Sequence, residues 1–481
     1  MPQLSGSIPG VLCGPEVEAR LESVYFDTQD LRLARWGCSL RHRTGEGWML
    51  VLGEGAAAGR SQRVELSFGG PARHPPPEAE QFVRAYARRS PLQPMARLST
   101  WRRTVPIVGE DSAQTLATIV DDEVSILQGR RVAARFRELE VATSADRGER
   151  GSALLDPLLA SLQAAGAGVS DGTPQHVRAL GPIASVPEVP VRSLPESPTA
   201  GQVITAALAT AVTALLRHDP GVRLGRDPDA VHQARVALRR IRSHLRTFAS
   251  LLDPEWATAL RTESGWLADQ LGEVRDREVL LDRLRQAIAG LDPGDARATR
   301  GLTQRAEEEL AAARSTLATA MIGDRYLDLL ELLVHAGREP RTSPTASAPA
   351  VDVVPGLVRR PWRQLRRAVD AVPDPPEDAQ LHRLRILTKR LRYAAEAATP
   401  LVGERAARFA RRAAALQTVL GEHQDSVVAR RWIREAATRG RPAFAAGLLY
   451  GLEQSRGVAA RAAWRGAWQK LAKRRLRSWP E

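Results

Sequence analysis

Two segments of this chain repeat each other, and the repeat restricts the fold more than any other feature. Val231-His232-Gln233-Ala234-Arg235 leads to Arg239-Arg240-Ile241-Arg242, and Leu381-His382-Arg383-Leu384-Arg385 leads to Lys389-Arg390-Leu391-Arg392. Both read H-x2-R-x3-(R/K)-R-x-R. A second landmark follows each copy. Leu271-Gly272-Glu273-Val274-Arg275-Asp276 begins 39 residues after His232, and Leu420-Gly421-Glu422-His423-Gln424-Asp425 begins 38 after His382. Two landmarks at nearly equal spacing predict an internal duplication with a pseudo-two-fold arrangement.

The surrounding pattern assigns these segments to helices. From about 201 to 475 the chain is rich in Ala, Leu and Arg at helical spacing. A break from Pro340 to Pro361, with Pro344, Pro349 and Pro355, divides that region into 201–339 and 356–475. Residues 1–180 instead show short alternating runs at Ser39–Arg43, Trp48–Leu52, Arg63–Phe68, Trp101–Val108, Ala117–Leu127 and Val132–Val141. Such runs predict an antiparallel sheet or barrel, with helices over 76–89 and 151–166. Pro182, Pro187, Pro190, Pro195 and Pro198 mark 181–200 as a semi-extended linker. The expected chain is α+β and multidomain, an antiparallel β-barrel followed by an all-α domain.

Lys plus Arg number 69 against 55 Asp plus Glu, a formal charge of +14. That balance points to a polyanionic partner, either nucleic acid, a membrane surface or polyphosphate. Nearly all the excess is Arg, whose planar fork donates to phosphate in pairs. A composition biased towards Arg throughout would give the same total. Cys13 and Cys38 have neither metal-ligand nor CxxC spacing. No apolar run reaches the ~20 residues of a membrane helix, and no signal-peptide pattern opens the chain. A cytoplasmic protein without membrane contact is expected.

On a helix advancing about 100° per residue, His232, Arg235, Arg239, Arg242 and Arg246 share an arc of about 80°. Val231, Leu238, Ile241 and Leu245 lie beside it, so one side is buried and a single-sign row runs along its margin. His382, Arg385, Lys389 and Arg392 repeat the row, with Leu381, Leu384, Leu387 and Leu391 on the apolar side. Glu396 takes the place of Arg246, so the second row is shorter or partly self-neutralised. Like charges one turn apart cost ~0.2–0.5 kcal/mol per pair. A bound anion would convert that repulsion into affinity. Acids from neighbouring helices would neutralise the rows equally well. Arg240 and Arg390 sit next to the rows, and Arg359, Arg360, Arg363, Arg366 and Arg367 extend the basic surface. The basic tail from Lys470 to Arg477 reads as a loose electrostatic contact. Gly272 and Gly421 read as helix C-caps, with Asp276 and Asp425 capping the helices that follow.

The duplicated His-plus-Arg helices with their Leu-Gly-Glu-x-x-Asp segments resemble the CHAD domain (conserved histidine α-helical domain). The resemblance implies two four-helix bundles about a pseudo-two-fold axis, polyphosphate binding on the basic surface, and targeting to polyphosphate granules. Upstream, Tyr25-Phe26-Asp27-Thr28-Gln29-Asp30-Leu31-Arg32-Leu33-Ala34, Leu40-Arg41-His42-Arg43, Gly47-Trp48, Trp101-Arg102-Arg103 and Arg137-Glu138-Leu139-Glu140-Val141 resemble the CYTH domain of the triphosphate tunnel metalloenzymes. That family implies a β-barrel tunnel in which Arg and Lys grip a triphosphate and Glu residues hold Mg²⁺ or Mn²⁺. Carried onto this chain, the phosphate grip falls to Arg41, Arg43, Arg63, Arg102 and Arg103, and the metal to Glu65, Glu138 and Glu140. In a strand, residues two apart face the same way, so Arg41 with Arg43, Arg63 with Glu65, and Glu138 with Glu140 each share a side. Paired carboxylates suit a hard cation, although alternating solvent-facing charge produces the same spacing.

Two family features are missing. The family opens with a Glu-x-Glu-x-Lys strand well upstream of the Tyr-Phe-Asp-Thr segment. Here Glu16-Val17-Glu18-Ala19-Arg20 imitates it but ends in Arg and stands too close to Tyr25. Met49-Leu50-Val51-Leu52 occupies the strand that usually carries a tunnel Lys. The expectation is a polyphosphate-binding protein whose tunnel domain is degenerate, or lacks a strand upstream of the given start. The competing expectation is a Mg²⁺- or Mn²⁺-dependent triphosphatase acting on triphosphate-containing molecules. Nucleic acid is disfavoured, because the rows lack interleaved aromatics for base stacking and no helix-turn-helix or zinc-finger spacing is present.

Overall fold

The structure, a computed structural model, describes residues 10–53, 64–110, 112–143, 148–227, 229–437, 441–477 and 479. The chain divides into two compact units, Met1–Glu188 and Val189–Glu481.

The first unit is built on an eight-stranded antiparallel sheet: β1 (Val11–Cys13), β2 (Val17–Asp27), β3 (Ser39–Arg43), β4 (Gly47–Leu52), β5 (Val64–Phe68), β6 (Gln93–Gly109), β7 (Ser112–Gln128) and β8 (Arg131–Thr143). The order is β5-β4-β3-β2-β6-β7-β8, with β1 added to β6. Its helices are α1 (Arg32–Arg35), α2 (Pro77–Ala87), α3 (Gly148–Ala164) and α4 (Gln175–Leu180). The tight β7–β8 connection turns at Gly129, whose φ of 63° suits glycine.

The expected barrel is an open sheet: among the described residues β5 and β8 end it and do not pair with each other. Strand lengths explain this. β3, β4 and β5 are 5 or 6 residues long, whereas β6, β7 and β8 run 13 to 17. Closure requires matched stagger around the whole circumference, which strands so unequal do not supply. One face is apolar. Trp48, Leu50 and Leu52 are fully buried, Phe68 packs on Phe82 of α2, and Leu158 and Leu162 of α3 join Val105, Ile107, Ala117 and Ile119. The Tyr25–Ala34 motif is structural. The buried Asp27 carboxylate accepts the N–H groups of Thr28, Leu33 and Ala34 and so caps α1.

The second unit is helical. Its first half holds α5 (Ala200–Leu224), α6 (Ala230–Thr247), α7 (Pro254–Ile288), α8 (Pro293–Ala298), α9 (Arg300–Ile322) and α10 (Asp324–Arg338). Its second holds α11 (Ala350–Asp370), α12 (Asp378–Val402), α13 (Glu404–Ala436), α14 (Arg441–Leu471) and α15 (Arg474–Arg477). Successive long helices pack side by side, and α6 also packs on α12. Starts are encoded locally. Thr199 and Gln202 form a reciprocal cap on α5, and Asp253 accepts from the Trp256 N–H ahead of Pro254 in α7.

Three expectations need correction. Pro355 and Pro361 lie inside α11 and do not break it; burial of Val354, Val358, Trp362 and Leu365 holds that helix despite the lost N–H donors. α5 is long and apolar enough to cross a membrane. Its apolar residues, Val203, Ile204, Leu208 and Leu216 among them, are buried within the helical unit. Gly272 and Gly421 do not end helices, since each lies within a helix of more than thirty residues, and Asp276 and Asp425 therefore cap nothing. Within 181–200 the division between the units falls at Glu188/Val189, with Ala184 and Glu188 buried in the first unit and Val189 in the second.

Candidate functional site

Strand register places Arg41, Arg43, Arg102, Glu65, Glu138 and Glu140 on the sheet face opposite Trp48, Leu50 and Ile119, a face that also carries a smaller apolar cluster of Tyr25, Leu98 and Val124. Arg103 falls on the other face. Arg63 lies outside the described residues. Two of the three cations on the shared face, Arg43 and Arg102, are already answered, whereas the buried Arg41 Nε has no acceptor. Arg102 makes a two-point bond to its cross-strand neighbour Asp122 at 2.8 and 2.7 Å, and that bond raises the guanidinium pKa further. Arg43 is buried, donates to Ser23 Oγ at 2.9 Å and pairs with Glu46 at 3.2 Å. Burial and the neighbouring Arg41 both lower its pKa. On the opposite face Arg103 and Arg137 converge on the fully buried Asp121 at 2.7 Å each.

The expected metal ligands do not gather. Glu65 is on β5 and Glu138 and Glu140 are on β8, the two ends of an open sheet. Glu138 lies 3.4 Å from Arg178 of α4. That helix crosses the face: His176 stacks on Tyr25, Gln175 donates to Asp122 at 3.2 Å and the Arg178 guanidinium lies over Phe136. Among the described residues no three His, Cys, Asp or Glu side chains form a metal-holding group. The described residues of the sheet do not fit a resident Mg²⁺ or Mn²⁺.

The helical unit behaves differently. Arg235, Arg239, Arg242 and Arg246 of α6 line a cleft of about 210 Å³ together with Ser243, Ala268 and Asp269, and Lys389 and Tyr393 of α12 close it. The two rows predicted from sequence therefore meet. Lys389 is held down to about pKa 7, first by burial and then by the charges of Arg385, Arg239 and Arg235. Burial, then Arg390, Arg261 and Arg242, lower the pKa of Arg246 in the same way. The Nε groups of Arg239, Arg385 and Arg390 are buried with no acceptor in the protein. Among the described residues Arg239, Arg240, Arg242, Arg246, Lys389 and Arg390 form no ion pair. Two members of the rows do. Arg235 Nη1 stands 3.2 Å from Asp276 Oδ1, at ion-pair distance without hydrogen-bond geometry, and that Asp is largely exposed. Arg392 bonds Glu396 at 2.7 Å, so the second row is partly self-neutralised as its sequence suggested.

Mid-helix glycines seat the first row. A Cβ on Gly272 would stand 2.8 Å from Arg235 Nη1, and one on Gly265 3.6 Å from Arg242 Nη2. Gly265 and Gly272 on α7 share the heptad spacing of Arg235 and Arg242 on α6, in reverse order. The guanidinium groups lie across bare backbone of an antiparallel neighbour. Gly421 on α13 receives Arg385 at 3.8 Å in the same manner. Burial raises the pKa of Asp425 despite the nearby Arg385 and Arg283. Burial, then Arg275, lowers the pKa of His232. His382 is exposed, with Nδ1 2.8 Å from Gln424 Oε1. Arg359, Arg360, Arg363, Arg366 and Arg367 are all exposed on α11.

The start of each half is paired with the other. Ala200 N–H donates to Ala348 O at 3.0 Å and Ala350 N–H to Pro198 O at 2.9 Å, bridging Thr199 and Pro349. The offset between those two residues equals the offset from His232 to His382, and from Arg239 to Lys389. Sequence reading missed Tyr393, Ser243 and Asp269. Tyr393 was legible as the residue one turn beyond Lys389, and the heptad glycines of α7 were legible as well.

Comparison with known proteins agrees with this division. A family model for the CHAD domain matches residues 206–434 and one for the CYTH domain matches 10–165. Rv2226 and MT2285, from two strains of Mycobacterium tuberculosis, are each 33% identical to this chain, over 98% of it and 94% of their own length. Among solved structures, PptA from Streptomyces chartreusis is similar at 27% identity and TM-score 0.49, covering 56% of this chain and 99% of that one. The CHAD domain from the plant Ricinus communis is similar at 26% identity and TM-score 0.49, covering 59% and 96%. The chain belongs to the CYTH–CHAD fusion proteins, with a CYTH domain at its N-terminal end and a CHAD domain after it.

Proposed function

We propose that this protein binds inorganic polyphosphate in the cleft between α6 and α12. One observation carries the reading. Four cations of the cleft, Arg239, Arg242, Arg246 and Lys389, face one another without a carboxylate partner among the described residues, and Asp269 is the lining acid. Such a cluster is stabilised by a ligand bearing repeated negative charge. Charge-assisted bonds to phosphate contribute ~1.5–3 kcal/mol each. A linear phosphate polymer matches a row that rises ~21 Å from His232 to Arg246, at ~1.5 Å per residue. Tyr393 is the aromatic side chain lining the cleft. A nucleic acid would ask for a series of stacking faces.

The test is a titration of long-chain polyphosphate into the full chain and into its Arg239→Glu, Arg242→Glu variant at fixed salt. The double variant should lose about a hundredfold in affinity, equivalent to ~2.7 kcal/mol. Equal affinities would move the site elsewhere. The same experiment run with duplex DNA as competitor checks the nucleic-acid alternative. On this reading the protein resides in the cytoplasm and associates with polyphosphate granules. A metal-dependent triphosphatase finds no support in the described carboxylates of the sheet. We assign that unit a structural or accessory phosphate-gripping role, centred on Arg41, whose buried Nε has no acceptor in the protein.

A further inference from the structure

A larger cleft of about 620 Å³ lies between α11 and α12, on the flank of α12 adjoining the first. Its polar lining is Gln364, Arg367, Gln380, His382, Arg383 and Arg390. No lining side chain is acidic. Arg367 and Arg383 are exposed, and neither they nor Arg390 form an ion pair among the described residues. Arg390 also stands near Arg246 of the first cleft, whose pKa it lowers after burial does. Arg390 lines this cleft and directly follows Lys389, which lines the first, and its buried Nε has no acceptor in the protein. Helix geometry makes the two flanks continuous. Lys389 and Tyr393 lie on one side of α12, Arg383 and Arg390 about 60–120° further round.

We propose that the α11–α12 cleft is a second phosphate subsite, reached only by chains long enough to pass Arg390 after filling the α6–α12 cleft. The inference rests on the polyphosphate reading and adds a selection for length. A short chain occupies the cleft at Lys389 and ends there. A long chain crosses Arg390 and meets Arg367 and Arg383, which lie ~15 Å along α12 from Tyr393 at ~1.5 Å per residue in the case of Arg383. Each further guanidinium displaces counterions and deepens the salt dependence, as for any polyanion. The cleft floor is partly apolar, with Leu384 and Leu387. The arginines at its rim thus carry the contact.

The experiment measures tripolyphosphate and long-chain polyphosphate binding to the full chain, to Arg367→Glu with Arg383→Glu, and to the neutral version Arg367→Gln with Arg383→Gln. Both positions are exposed, so folding is retained. The charge-reversed variant should lose about tenfold for the long chain and change by less than about twofold for tripolyphosphate, with the neutral variant between. Unchanged long-chain affinity overturns the subsite. Equal loss for both lengths also overturns it, since that is a general effect of net charge. A wild-type chain that binds neither length overturns the polyphosphate reading itself. The three failures are therefore distinct.

Discussion

Arginines gather in two places, on the faces of the sheet and in the α6–α12 cleft, and they meet opposite surroundings. In the sheet, register sets a carboxylate opposite each of two arginines: Arg102 faces Asp122 and Arg103 faces Asp121 across the β6–β7 pair. Cross-strand neighbours of opposite charge are a stabilising unit of a sheet. In the cleft, two helices bring rows of like charge together, and Lys389 of one row faces Arg235 and Arg239 of the other. The same residue type serves as a structural tie in one place and as an unanswered charge in the other. Counting arginines does not tell these apart; the partner at bonding distance does.

The largest expected effect exploits that contrast. Arg102→Gln should destabilise the sheet unit by about 3 kcal/mol, because it leaves the buried Asp122 carboxylate with little beyond Gln175. Arg239→Gln should do the reverse. It relieves repulsion and should leave the helical unit as stable or more stable by a few tenths of a kcal/mol, while weakening polyphosphate binding. Urea unfolding of the full chain and a binding titration check both. Two variants that destabilise equally would erase the distinction between the sites.

A smaller effect is expected from pH. With Lys389 at about pKa 7 in the free protein, it is charged below that value and increasingly neutral above it. Bound phosphate favours the charged form, so binding above pH 7 takes up a proton. Affinity should fall roughly tenfold from pH 7 to pH 9, a change of ~1.4 kcal/mol. Calorimetry in buffers of different ionisation enthalpy reads the uptake directly, and Lys389→Arg should abolish it. The stability sign is also fixed. The folded pKa lies below the unfolded one, so the unfolded chain binds more protons between pH 7 and pH 10.5. Lys389 therefore contributes to a rise of stability with pH across that window.

The two regions also differ in how much their sequences disclosed. The cationic rows were legible because helical periodicity is a local property of α6 and α12, and His232 to Arg246 needed no partner to be recognised. Their meeting was not legible, because it depends on packing between helices far apart in sequence. The sheet followed the opposite course. Six of its eight strands were read in whole or in part, β1 and β2 were missed, and closure depends on the relative lengths and stagger of all of them, which the unequal strands do not supply. The glycines were misread for a related reason. Gly in a helical stretch usually signals an end, whereas Gly272 and Gly421 lie mid-helix beneath Arg235 and Arg385 arriving from another helix, with the close approach at Gly272. Gly272→Ala tests this with two effects of opposite sign. Alanine should stabilise α7 by up to ~1 kcal/mol. Its Cβ should also displace the Arg235 guanidinium and weaken binding about threefold, ~0.6 kcal/mol. A variant that gains stability and keeps full affinity would show that the seat is dispensable.

The smallest effect concerns the difference between the two rows. Glu396 stands where the first row has Arg246, and its bond to Arg392 takes that guanidinium out of play. The pair is half-buried, spaced one turn apart and exposed enough that its own contribution to stability is small, ~0.3–0.5 kcal/mol. Glu396→Gln removes the neutralising charge and frees Arg392 to meet a ligand. Polyphosphate affinity should rise about twofold, with helix stability lowered by no more than the value of the pair. If affinity instead falls, Glu396 is holding Arg392 in its binding pose, and the second row gains rather than loses from the carboxylate beside it.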